Sequence, residues 1–255
     1  MTTDNLNMDN EAAIAEMGSY LAQRAYLFGI LRIAFGSRPD VDTVHALYSQ
    51  ETARALTLVN ELVEKYGEKK VLKNMDVELR DEVLKRLHEG VVTFAENHDK
   101  DIEETVAALT SDYNRLFLVP GPSYVHPWES PYTSSNRMLM QESTLDVRNT
   151  YHEAGFKLIA EKHFPDDHIA TMMDFLSRTS LEAFEAYADN IDCKAKHTIN
   201  TQREFIENHI MTWMEDFAQK VVEKGENSPW VFFACVLVVF IRLDMLYTAA
   251  IVKAL

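Results

Sequence analysis

The chain has 255 residues, a formal charge of −15 and 47% hydrophobic residues, and a chain of this length buries roughly three quarters of its unfolded surface. A sizeable core is therefore available. The acidic balance excludes nucleic acid as a partner, since binding phosphate needs a basic face, and it leaves two readings of the surface: attraction of a basic partner, or solubility alone.

The first ten residues carry neither a basic start nor an apolar stretch, and Cys193 and Cys235 lie far apart without metal-ligand spacing. The expectation is a reduced, cytoplasmic protein. From Asn10, the apolar residues Ile14, Met17, Leu21, Phe28, Leu31 and Phe35 recur at helical spacing until Gly36 and Arg38-Pro39 end the pattern. Asp40 is placed to cap a short helix through Tyr48, and Ser49 opens another that presents Ala53, Leu56, Val59, Leu62 and Tyr66 before Gly67. Leu79, Val83, Leu87, Val91 and Phe94 repeat the pattern, and a helix from Asp101 carries Ile102, Val106, Leu109, Tyr113 and Leu116 into a proline-rich stretch.

Beyond that stretch, a helix spans Ser143 to Ala154 with Gly155 at its C-terminal cap. Another begins near Asp166 or Asp167 and carries Ile169, Met172, Phe175 or Leu176, Ala183 and Tyr187. Thr198 to about Lys224 reads as one long or slightly broken helix, and Ser228-Pro229 opens the last with a cap and a proline in its first turn. Trp230 to Ile241 is twelve apolar residues without a break, short of the roughly 20 a membrane span needs, and Arg242 and Asp244 interrupt it. A helix apolar all round at this length is the central helix of a bundle. No stretch alternates with the period of a strand, so the fold class is all-α: a compact bundle of about ten helices. It reads as one domain over 10–255, with a helical half at about 10–118, a hinge and binding loop at about 118–142, and a second half at about 143–255.

Catalytic signatures are missing. No phosphate-binding glycine loop, dinucleotide fingerprint or nucleophile elbow occurs. A helical di-iron site needs Glu-x-x-His pairs, none of the nine histidines has a glutamate three residues before it, and Asp42-x-x-His45 is the nearest approach. The expectation is a protein that is not an enzyme and holds no metal or cofactor. A helical metal- or oxygen-handling enzyme is the alternative class, which metal analysis discriminates.

The chemistry concentrates between Tyr113 and Tyr132, which holds four of the seven prolines and one of the three tryptophans. Proline removes an amide donor and disfavours helix in the residue before it, so the segment is extended or turning beyond Leu118. An aromatic, proline-stiffened loop is a candidate binding wall; the other reading is that Trp128 and Tyr132 plug the core beneath a crossover. Likewise Asp167 at a helix start is a cap, with a histidine beside it that a cap leaves free. Met172 and Met173 are core, or an adaptable apolar floor for a variable peptide.

Tyr113-x-x-Leu116-Phe117, then Pro120-Gly121-Pro122, then Pro127-Trp128-Glu129-Ser130-x-Tyr132 resembles the signature of the TorD/DmsD family of redox-enzyme maturation chaperones. Pro165-Asp166-Asp167-His168-Ile169, and Phe205-Ile206-x-x-His209-x-x-x-Trp213-x-x-x-Phe217, are similar to that family's second marker and C-terminal helix, in the same order. The sequence departs at His126, where a second proline is common, and at Pro131, where an aliphatic residue is common. The resemblance implies a cytoplasmic chaperone that binds the twin-arginine leader of a molybdenum-cofactor oxidoreductase, of the dimethyl sulfoxide or trimethylamine N-oxide reductase type, and assists maturation before export. The implied partners are that leader and the apo form of the oxidoreductase subunit, with peripheral contact to the export machinery, the protein being a monomer or homodimer. The implied peptide site comprises Leu116, Phe117, Pro127, Trp128, Glu129, Ser130, Tyr132, Asp167 and His168, with Leu116 and Phe117 as its apolar wall and Glu129 and Asp167 as acceptors for arginine.

Overall fold

The computed structural model describes residues 3–96, 101–135, 138–139, 141–158 and 165–255, with backbone alone at 3–13 and 92–96. Phe94 and positions 136, 137 and 140 of the expected hinge therefore lie outside the side chains described. Among the described residues there are twelve α-helices, one π turn and no strand. The N-terminal half contributes α1 (Thr3–Gly36), α2 (Val41–Leu47), α3 (Gln50–Tyr66), α4 (Glu68–Val71), α5 (Val77–Glu96) and α6 (Ile102–Tyr113). The π turn, Asn114–Leu118, continues α6, and α7 (Ser130–Thr133) lies within the proline-rich stretch. The second half contributes α8 (Glu142–Glu153), α9 (Ile169–Ala188), α10 (Asp192–His209), α11 (Met214–Gly225) and α12 (Pro229–Ala254).

Local chemistry sets most of the boundaries. Asp40 accepts the Thr43 amide at 2.8 Å, Ser49 the Thr52 amide at 3.1 Å, and Asp101 the Glu104 amide at 3.0 Å, each satisfying an amide that the first turn leaves without a partner. Two boundaries differ from expectation. The helix expected from Thr198 reaches back to Asp192, and the one expected from Asp166 or Asp167 starts at Ile169, because both aspartate carboxylates are engaged by other segments.

The helix α12 is the axis of the bundle, in contact with helices of both halves, and α1 lies along α9. The two halves are thus interleaved. By length and composition α12 is apolar enough to cross a membrane, but 67% of its apolar window is buried against other helices, so its hydrophobicity is accounted for by packing. Asp244 is fully buried within it and pairs with Arg24 of α1. Gly90 of α5 lets the helices approach closely: a Cβ there would fall 2.0 Å from the Phe232 ring.

An aromatic cluster fixes the start of the proline-rich loop. Phe117 meets Phe35 and Tyr113 edge-on at 5.8 and 5.5 Å, Tyr113 meets Trp230 at 5.6 Å, and the Tyr113 hydroxyl donates to the Phe35 carbonyl at 3.1 Å. Arg115, on the outer side of the π turn, donates to the Lys224 carbonyl at 2.8 Å and so holds the end of α11. There the chain turns sharply at Glu226, an exposed residue with φ 55° and ψ −113°. Glycine adopts this conformation without a Cβ penalty. Glu226→Gly is therefore expected to raise stability by about 1 kcal/mol, read as a higher urea midpoint with an unchanged slope; a lower midpoint would show that Glu226 is not strained.

Candidate functional site

Prolines and aromatics shape the loop after the π turn, where the Val125 amide returns to the Leu116 carbonyl at 2.7 Å. The chain then runs antiparallel to the segment before α9. Ile169 donates to the Pro127 carbonyl at 2.9 Å and Glu129 to the Asp167 carbonyl at 3.1 Å, which makes Trp128 and His168 an isolated bridge pair. Their rings meet edge-on at 5.1 Å. Two segments forty residues apart in sequence thereby form one surface.

The aspartates before α9 hold that surface together. Asp167, fully buried, accepts the Ser130 amide at 2.8 Å and so satisfies the first turn of α7 in place of its own helix. Asp166, also fully buried, takes the Arg148 guanidinium of α8, and Tyr151 donates to its carbonyl at 3.2 Å. The expected capping role passes to His168, whose Nδ1 accepts the Ala170 amide at 3.1 Å. An imidazole with an acceptor nitrogen is the neutral form, and burial pushes His168 down to about 4.

Pro127, Trp128, Glu129, Ser130, Asp167 and His168 are thus in one place, with Trp128 half-buried and the others buried. Leu116 and Phe117 are not part of an open wall. They are 0% and 4% exposed and face the interior, because an aromatic cluster of four helices encloses them more completely than a loop surface would. The next two residues, Leu118 and Val119, are exposed instead, at 45% and 55%. Tyr132 turns to the other side, against Trp213 at 5.2 Å and under Lys220 at 4.2 Å, and donates to the His126 carbonyl. There His126, though exposed on one side, is held below the usual histidine range by partial desolvation and by Lys220 and Lys224.

Beside the bridge opens a polar cavity of about 760 Å³, lined by Glu129, the end of α7 with Ser134 and Ser135 after it, the start of α8, Asn208 and His209 at the end of α10, and Thr212 just beyond it. Glu142 and Asp146 stand exposed at its rim. Glu129 is 2% exposed, and its Oε2 lies 3.3 Å from His209 Nδ1. At that distance the approach is an opposite-charge contact when His209 is protonated, and both atoms are buried. Burial pushes the Glu129 carboxyl up, Asp167 and Asp146 add to the rise, and His209 offsets part of it. Among the described residues no group of three or more His, Cys, Asp or Glu is placed to hold a metal ion.

The family described as nitrate reductase delta subunit matches residues 79–219, more than half of the chain and all of this surface. Curated relatives carry the name chaperone protein TorD. That of Vibrio parahaemolyticus is 24% identical over 151 residues, covering 59% of this chain and 69% of the relative. That of Photobacterium profundum is 26% identical over 160 residues, covering 62% and 73%. The chain belongs to the TorD/DmsD family of redox-enzyme maturation chaperones. The members named among its relatives are chaperones, a non-enzymatic class.

In this family member, His209, Asp146 and Glu142 are cavity residues that reading the sequence did not assign to the site. For His209 a signal was present in the Phe205-Ile206-x-x-His209-x-x-x-Trp213 segment, but helical spacing places it among core aromatics, and Phe205 does pack against its ring at 5.2 Å. Only the fold turns its Nδ1 towards Glu129. Asp146 and Glu142 carry no signal at all, since charged residues on a helix are normally a solvated face.

Proposed function

We propose that the protein is a cytoplasmic chaperone that binds the twin-arginine leader of a molybdenum-cofactor oxidoreductase of the dimethyl sulfoxide or trimethylamine N-oxide reductase type and assists its maturation before export. The observation that carries this reading is the Trp128–His168 bridge, which joins the two family markers beside an acidic cavity. A leader of this kind has a basic end and an apolar stretch. The cavity offers carboxylates to the first, and half-buried Trp128 with exposed Leu118 and Val119 offers apolar contact to the second. The prolines limit the conformations of the free loop, so less entropy is lost when it closes on a peptide. The partner is the leader together with the apo subunit that bears it, with the chaperone as monomer or homodimer, and the interleaving of α1 with α9 and of α12 with both halves supports treating residues 10–255 as one domain.

Titration calorimetry with a synthetic leader peptide tests this. Trp128→Ala is expected to lower affinity by about 2 kcal/mol or more, roughly 30-fold, because rigid aromatics dominate interface energetics. A variant that binds the leader as tightly as the parent protein would place the site elsewhere.

A further inference from the structure

We infer that His126 is a specificity-determining residue of the peptide site: it is the middle ring of an aromatic row, Tyr124, His126 and Trp128, on which the apolar stretch of the leader lies, and it admits that stretch only in its uncharged form. This rests on the reading of the loop as the leader site. Val125 to Glu129 are held by the Val125 amide on the Leu116 carbonyl and by the bridge to His168. Side chains of an extended segment alternate between its faces, so Val125, Pro127 and Glu129 are buried while Tyr124, His126 and Trp128 share the outer face. The His126 ring meets Tyr124 edge-on at 4.8 Å and lies 6.3 Å from Trp128. It is the most open of the three, the other two being half-buried.

Charge decides which part of a peptide the row accepts. Two lysines of α11 stand beside His126: Lys224 donates to the Tyr124 carbonyl at 2.9 Å, and Lys220 lies over the Tyr132 ring at 4.2 Å. Both act on His126 as positive charges, whereas Asp216 of the same helix acts on Tyr132. From the loop itself the facing groups are Tyr124 and Trp128, with Tyr132 donating to the His126 carbonyl. From the segment before α9 comes His168, buried and neutral against Trp128. The basic end of a leader is therefore repelled by the α11 lysines and drawn to the acidic cavity at Glu129, which leaves the apolar stretch for the row. Partial desolvation and the two lysines hold His126 below the usual histidine range, so at neutral pH its ring is uncharged and offers an aromatic surface. A protonated ring would carry its charge beneath an apolar peptide, and covering a charge that has no counter-charge is costly. Leader affinity thus falls as pH falls through the titration of His126. A proline here, common in the family, does not titrate, so the sensitivity comes from this chain's departure at position 126.

The test is calorimetric titration of a synthetic leader peptide at about pH 7.5 and about pH 5 with wild type, His126→Phe and His126→Ala. His126 is exposed, so neither variant carries much folding risk. At the higher pH, His126→Phe is expected to bind within about twofold of wild type and His126→Ala about fivefold more weakly. On acidification wild type is expected to lose about threefold more affinity than His126→Phe, which shares every other titrating group. By linkage, saturating peptide should also move proton uptake by the His126 ring, followed by NMR, to lower pH. Equal losses in wild type and His126→Phe, or an unmoved ring titration, overturn the proposal while leaving leader binding intact. So does a His126→Ala variant that binds as tightly as wild type at the higher pH. If no leader peptide binds to any of the three proteins, the leader reading falls, and the row is judged with a peptide of the apolar stretch alone. Shifts of the His126 and Trp128 ring signals that weaken on acidification then support it; no shift, or shifts equal at both pH values, overturns it.

Discussion

Arg24→Ala is expected to lower the unfolding free energy by about 3–5 kcal/mol, because it strands a buried carboxylate. Arg24 and Asp244 are both fully buried. The guanidinium grips the carboxylate in two places, Nε to Oδ1 at 2.5 Å and Nη2 to Oδ2 at 3.0 Å, and Nη1 donates to Ser180 at 2.9 Å and to Gln202. Tyr20 donates a further hydrogen bond to Asp244 at 2.9 Å. Gln202 in turn donates to Thr179 at 2.6 Å and to the Leu176 carbonyl at 3.2 Å. One network therefore ties α1, α9, α10 and α12 together, with its main charges paired. Removing one partner leaves the other without solvent or counter-charge, which costs more than the pair itself contributes. The discriminating measurement is urea unfolding of Arg24→Ala, of Asp244→Leu, and of Arg24→Met combined with Asp244→Leu. The double variant should lose much less than the sum of Arg24→Ala and Asp244→Leu. A loss below about 1 kcal/mol for Arg24→Ala would mean that this network does not hold the bundle.

Acidification should weaken the protein through His168, with an effect on the order of 3 kcal/mol between pH 6.5 and 4. The direction follows from proton counting. In the unfolded chain an imidazole takes its proton near 6.5, whereas His168 in the fold takes it only near 4, because burial disfavours the charged form and Nδ1 is occupied as acceptor of the Ala170 amide. Between those values the unfolded state binds more protons, so stability falls as pH falls through the window and levels off near 4. Glu129 acts in the opposite sense below its own raised value, since a carboxyl pushed up by burial binds its proton more readily in the folded state. Comparison with His168→Asn isolates the histidine: asparagine is a good cap but does not titrate. Urea midpoints of the two proteins should converge as the pH falls from 7 to 4.5. Parallel curves would mean that His168 is protonated in the fold at neutral pH or is not buried.

What the sequence by itself determined is whatever depends on neighbours along the chain. The spacing of Leu56, Val59 and Leu62, the caps Asp40, Ser49 and Asp101, and the unbroken apolar run of α12 specify helices and a central one, because a helix is closed by bonds three to five residues away. The family, too, was legible, since its markers are short and ordered along the chain. The tertiary structure alone decided where polar and aromatic groups find partners. Asp167 stands where a cap for α9 is expected, and its carboxylate instead accepts the Ser130 amide, because that amide lies within reach across the bridge while His168 takes the α9 amide. Leu116 and Phe117 carry the family motif, and whether they face a groove or the core depends on Phe35, Phe217 and Trp230, which arrive from three other helices. Asp244 reads as an interruption of an apolar helix until Arg24, 220 residues away, supplies its counter-charge. Glu129 and His209 likewise meet only when α10 ends beside the loop. Such pairings are fixed by distance and desolvation in the folded state, quantities that the local periodicity of a sequence does not contain.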